Sequence, residues 1–206
     1  MKLFLASSLD ETLHLLSPRL DKPVDENKVI FIANAADPCN EHWWVDLDRK
    51  KFLDAGYKII EIDLRNVSLE EFNKNLKNAD IIHFCGGSVF YLQLLLKRGG
   101  FDDAIIKAVK GNQIIYTGTS AGSIIVSKST GIYKYDPEEM KFLDKAYDFS
   151  GLGLVDFLIV PHCGKADFIE ANKAVVEHLL EFPYPLIFLH DNHVVYVENE
   201  KLEILS

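Results

Sequence analysis

Basic residues are in short supply. The 206 residues carry 22 Lys and Arg against 31 Asp and Glu, a net charge of −9. An acidic surface repels phosphate backbones, so no nucleic-acid partner is expected. Cysteine is scarce too. Cys39, Cys85 and Cys163 form no CxxC pair and no even framework, which argues against a disulfide scaffold and for a reducing, cytoplasmic setting. Long apolar runs are missing, so no membrane-spanning helix and no membrane partner is expected. Lys2 to Ala6 is too short for a signal-peptide core and reads as a first strand. The seven histidines show no HExxH or other metal spacing, and no Walker lysine follows Gly122. Gly151-Leu152-Gly153 precedes a strand rather than a helix, so it is no dinucleotide fingerprint. Neither metal nor cofactor is expected.

What remains is an ordinary globular balance, 48% apolar and 26% charged, long enough for one domain over residues 1–206. Short apolar runs alternate with helical patterns. Strands are expected at Val29 to Ala33, Lys58 to Ile62, Ile81 to Phe84, Ile114 to Thr117, Phe157 to Val160 and Leu186 to Leu189. Helices are expected at His42 to Ala55, from Ser68 to about Asn78, and at Val89 to Lys97, Phe101 to Val109, Ser123 to Lys128 and Phe168 to Leu180. Thr130 to Gly153 is irregular, with a short helix near Glu138 to Leu143. Val194 to Glu198 and Leu202 to Leu205 pair as a hairpin across Asn199-Glu200. Strand–helix alternation with continuously apolar strands predicts an α/β fold, a doubly wound, mostly parallel sheet. Ligands in such sheets sit beyond the carboxyl ends of the strands.

One segment there carries chemistry. Gly118-Thr119-Ser120-Ala121-Gly122 follows a buried strand and precedes a helix, the context of a G-x-S-x-G nucleophile elbow. The flanking glycines would let the backbone bend without a Cβ clash. A tight turn with a capping serine is the plainer reading of the same residues. His162 and Asp191 follow the strands ending at Pro161 and His190, so all three groups could converge. A hydroxyl needs a base, and the base needs an acid to fix its tautomer. A structural histidine and a turn aspartate are the alternatives, and His190 or His193 could also serve as base. Cys85-Gly86-Gly87-Ser88 is a second close turn; the N–H groups of Gly87 and Ala121 could form an oxyanion hole.

Phe84-Cys85-Gly86-Gly87-Ser88-Val89-Phe90-Tyr91-Leu92, the Ser120 elbow and Val160-Pro161-His162 together resemble the peptidase E (aspartyl dipeptidase) family, whose relatives include cyanophycinase. The resemblance implies a flavodoxin-like sheet similar to class I glutamine amidotransferases. It also implies the order nucleophile, histidine, acid, which Ser120, His162 and Asp191 match. An aspartate in the loop after the serine matters in the family, and its nearest match is Asp136. The family's substrate-reading arginine has no counterpart, since no arginine follows Arg98. Lys165 and Lys173 are the nearby cations, and strict Asp-X selection is not expected. Ser88, Lys165 and Glu170 are candidate substrate contacts, with Glu170 or Asp136 as partner for the peptide amine. The expected activity is serine exopeptidase action on small peptides. The alternatives are an esterase or other acyl hydrolase, or a non-catalytic binding homologue.

Overall fold

The computed structural model describes residues 1–142 and 148–206. Nine short runs become strands: β1 Lys2–Ala6, β2 Lys28–Ile32, β3 Lys58–Glu61, β4 Ile81–Phe84, β5 Ile115–Thr119, β6 Leu158–Val160, β7 Leu186–Phe188, β8 Val194–Glu198 and β9 Lys201–Leu205. The helices are α1 Trp43–Asp54, α2 Leu69–Asn78, α3 Val89–Gly99, α4 Phe101–Lys110, α5 Ala121–Ile124, α6 Pro137–Met140 and α7 Ile169–Glu177.

Seven strands form the main sheet in the order β3-β2-β4-β5-β1-β8-β9. The first five run parallel, and β8 and β9 add an antiparallel edge. Asn199 and Glu200 both take positive φ, 49° and 69°, as a two-residue hairpin turn requires. Side chains alternate between two cores. Leu3, Leu5, Ile30 and Ile32 pack with α2, α3 and α4 on one face. Phe4, Ala6, Val29 and Phe31 pack with α1 and the residue 9–16 turns on the other. This is the flavodoxin-like architecture expected, covered on both faces. Ser68 caps α2 by accepting the N–H of Glu71 at 3.1 Å.

Several expectations need correction. β6 and β7 leave the main sheet and pair with each other as a separate two-stranded parallel sheet. The helix after Ser120 is a single turn that starts at Ala121, earlier than expected, and ends at Ile124. The expected helix over Phe168 to Leu180 is α-helical at Ile169–Glu177 and flanked by 3-10 turns at Ala166–Phe168 and Leu179–Glu181. The short helix expected near Glu138 is Pro137–Met140, and Leu143 lies outside the described residues. Among the described residues no helix is long and apolar enough to cross a membrane.

Candidate active site

Ser120 stands between the last residue of β5 and the first of α5, at φ 49° and ψ −112°. A non-glycine residue there carries about 1–3 kcal/mol of strain, which the surroundings must hold. Its N–H donates to the Ala6 carbonyl at 3.2 Å, and its carbonyl accepts from the N–H groups of Ser123 and Ile124 at 2.8 and 2.9 Å. Gly118 and Gly122 avoid Cβ clashes, as expected, without themselves making the bend. Neither has positive φ; the bend falls on Ser120 itself. A Cβ on Gly118 would overlap the Gly122 carbonyl, and one on Gly122 would overlap the Phe84 carbonyl. The glycines let α5 lie against β4 and β5.

His162 and Asp191 come from the small sheet. β6 delivers His162 after Pro161, at φ 58°, and β7 delivers Asp191. The two ends are laced together, Leu189 N–H to Val160 O and Cys163 N–H to Leu189 O, both 2.9 Å. His162 Nδ1 lies 2.7 Å from Asp191 Oδ1, with side chains 13% and 14% exposed. The Phe168 ring stacks on the imidazole, centroids 4.0 Å apart. With Nδ1 engaged by the carboxylate, Nε2 is the nitrogen left for proton transfer. Among the described residues no hydrogen bond joins Ser120 Oγ to His162. Burial alone would raise the Asp191 carboxyl. Hydrogen bonds from His162 and Ser7, the His162 charge and Lys165 outweigh it and hold the group well below the usual carboxylate range.

The Gly86-Gly87 turn faces the elbow. A Cβ placed on Gly86 would lie 3.2 Å from Ser120 Cβ. Gly87, at φ 144°, sits so close to the Ala35 carbonyl that only glycine fits. Among the described residues the N–H groups of Gly87 and Ala121 have no acceptor. Trp44 Nε1 donates to the Gly86 carbonyl at 3.0 Å and steadies the turn.

The other predicted residues are placed as follows. Ser88 accepts from Tyr91 N–H as cap of α3 and donates to Glu139 at 2.8 Å, so its hydroxyl is taken up by the fold. Lys165 Nζ lies 3.2 Å from Asp191 Oδ2, on the acid. Glu170 is exposed in the first turn of α7, and Lys173 pairs with Glu177 at 3.9 Å. Asp136 caps α6 by accepting Glu138 N–H at 2.9 Å and makes no hydrogen bond to His162. His190 is exposed, and the His193 carbonyl accepts from Ser7 N–H at 3.4 Å.

Three features escaped the sequence. Ser7, just past β1, contacts both His162 and Asp191; nothing in Ala6-Ser7-Ser8 distinguishes it from any turn serine. Glu139 is buried, and its carboxylate takes the Ser88 hydroxyl and the N–H groups of Val89 and Phe90 at 2.8, 2.6 and 3.0 Å. The alternating pattern of β4 could have flagged the third. His83 and Cys85 share one face of that segment and meet Asp48 of α1 in a buried cluster, their ligand atoms within 4.8 Å of one another. The Thr117 hydroxyl lies 3.0 Å from His83 Nδ1 and 3.3 Å from the Ile82 carbonyl. Thr119 donates to Asp48 at 2.8 Å. The cluster ties α1 to β4 and β5 directly behind the elbow.

Comparison with known proteins identifies the family. The profile of peptidase family S51 matches residues 3–205. An uncharacterized peptidase of Pasteurella multocida is 32% identical over 99% of this chain and 96% of its own. A peptidase E of Streptomyces coelicolor is 31% identical over 61% of this chain and 52% of its own. The solved structure of a candidate peptidase E from Listeria monocytogenes superposes with a TM-score of 0.90 at 25% identity, covering 100% of this chain and 98% of that one.

Proposed function

Because the chain belongs to peptidase family S51, we propose that it is a serine exopeptidase that releases residues from small peptides, dipeptides among them. The observation that carries this reading is the 2.7 Å His162–Asp191 contact, mounted at the same strand end that receives the Ser120 N–H. In this reading Ser120 Oγ attacks the scissile carbonyl as His162 Nε2 takes its proton. Asp191 holds the Nδ1–H tautomer and stabilises the imidazolium that forms. The N–H groups of Gly87 and Ala121 receive the developing oxyanion; one such donor is worth on the order of 10²–10³ in rate. His162 then protonates the leaving amine, and water repeats the sequence on the acyl-enzyme. Nucleophile–base contacts are often long before substrate binds and tighten in the complex, which accommodates the missing Ser120–His162 hydrogen bond.

The reading extends to selectivity. No arginine follows Arg98, Lys165 is engaged by Asp191, and Lys173 is engaged by Glu177. A substrate carboxylate entering the site would lack a bidentate partner, so small neutral side chains are accepted at least as well as aspartate. The test is a panel of Asp-X, Ala-X and Ser-X dipeptides with wild type and Ser120→Ala, alongside fluorophosphonate labelling. Labelling at Ser120 with peptide turnover that Ser120→Ala abolishes supports the proposal. Turnover of esters but not peptides points to an acyl hydrolase, and no labelling points to a binding homologue. A hundredfold preference for Asp-X, about 2.7 kcal/mol, would overturn the selectivity reading.

A further inference from the structure

Ser7 lies one residue beyond β1 and is 1% exposed, so its hydroxyl faces the protein and not a ligand. A serine hydroxyl has one proton and two lone pairs. The backbone N–H of His162 lies 2.8 Å from Ser7 Oγ and can only donate. Asp191 Oδ1 lies 2.8 Å away on the other side and, ionised, can only accept. The proton positions follow: Ser7 accepts from His162 N–H and donates to Asp191. His162 Nδ1 is 3.4 Å from the same oxygen, too far to compete with its 2.7 Å contact to Asp191.

Ser7 therefore grips the imidazole from two directions. It holds the backbone of His162, a non-glycine residue at φ 58°, and it aims the carboxylate that orients the ring. The neighbouring Ala6 carbonyl receives the N–H of Ser120 and the hydroxyl of Ser123, at 3.2 and 2.7 Å. The end of β1 is thus a common mount for two halves of the site that arrive from different sheets. Resting on the peptidase reading above, we propose that Ser7 is a positioning residue: its hydroxyl fixes His162 and Asp191 as one unit and sets that unit against Ser120.

The test compares Ser7→Ala and Ser7→Thr with wild type in three measurements: dipeptide kinetics, the rate of fluorophosphonate inactivation, and the low-field NMR resonance of the His162 Nδ1 proton. Ser7→Ala is expected to lower kcat and the inactivation rate about ten- to a hundredfold, what a lost hydrogen bond to a charged group is worth. KM should move far less, and the Nδ1 proton signal should broaden or vanish. Ser7→Thr keeps the hydroxyl and should restore both rate and signal. If the added methyl prevents folding, Ser7→Cys, with its weak S–H donor, should fall between wild type and alanine. A Ser7→Ala protein with wild-type rates and an unchanged resonance overturns the proposal. So does a variant whose kinetics fall only in step with its thermal stability while the resonance stays sharp. The resonance needs no substrate, so it decides the role of Ser7 even if wild type fails to label at Ser120.

Discussion

Replacing Asp191 by asparagine removes a charge and keeps the shape, and the outcome depends on which way the new amide turns. With its oxygen toward His162 it still accepts Nδ1–H, and the useful tautomer survives. With its nitrogen there, Nδ1 must become the acceptor and Nε2 carries the proton, so the base cannot act. The wrong tautomer costs about four powers of ten in a comparable triad. Two neighbours compete. Lys165, 3.2 Å from Oδ2 with a side chain 53% exposed, favours the amide oxygen on its own side but can swing into solvent. Ser7 is buried, and a flipped amide would strand its O–H without an acceptor, a loss of roughly 1–3 kcal/mol. The buried donor should win, so Asp191→Asn keeps the tautomer and loses only the charge. Opposite charges about 4 Å apart interact by about 4 kcal/mol at an effective dielectric of 20. Partial exposure of both side chains trims this, and a loss of about 10²–10³ in kcat/KM is expected. Adding Ser7→Ala frees the amide to turn, and the double variant should fall to about 10⁴ below wild type. Dipeptide kinetics with ¹⁵N imidazole shifts, which report the tautomer, provide the assay. A loss of 10⁴ from Asp191→Asn alone, or a double variant no worse than the single one, would refute the reasoning.

Other perturbations have equally definite outcomes. Burial pushes the Glu139 carboxyl up to about 7 from an ordinary 4.5, against the pull of its three donors. Between those values the folded state holds a proton that the unfolded chain has released, so this contribution to stability is present below pH 4.5 and lost as pH rises through 7. Urea unfolding across that range should show wild type losing up to about 3 kcal/mol relative to Glu139→Gln, and a constant difference would contradict it. Gly122→Ala forces a Cβ into the Phe84 carbonyl and should cost on the order of 3 kcal/mol; a melting temperature within about 2 °C of wild type would show that α5 yields more easily than its packing implies. Asp136→Asn preserves an N-cap that makes no hydrogen bond to His162 and should change kcat/KM less than about tenfold, whereas a loss as large as that of Asp191→Asn would move the supporting acid to Asp136.

Local chemistry along the chain determined the strands, most helices and the hairpin. β-branched runs need a sheet, Ser68 and Glu71 make a cap, and Asn199-Glu200 accepts the positive φ that a tight hairpin demands. The elbow was legible for the same reason: Gly118 to Gly122 is one contiguous segment whose residue types restrict its own backbone. Where each element goes was not local. β6 and β7 read as ordinary buried strands, and only pairing could decide that they form a sheet of their own. Asp191 could be named as the acid for His162 because both follow strands at their carboxyl ends, but Ser7, 155 residues from His162, could not. A serine in a turn, a glutamate in an irregular loop and an aspartate on a helix carry no sign of burial. Ser7, Glu139 and Asp48 acquire their roles only when packing excludes water around them and leaves each polar group dependent on the few neighbours within reach.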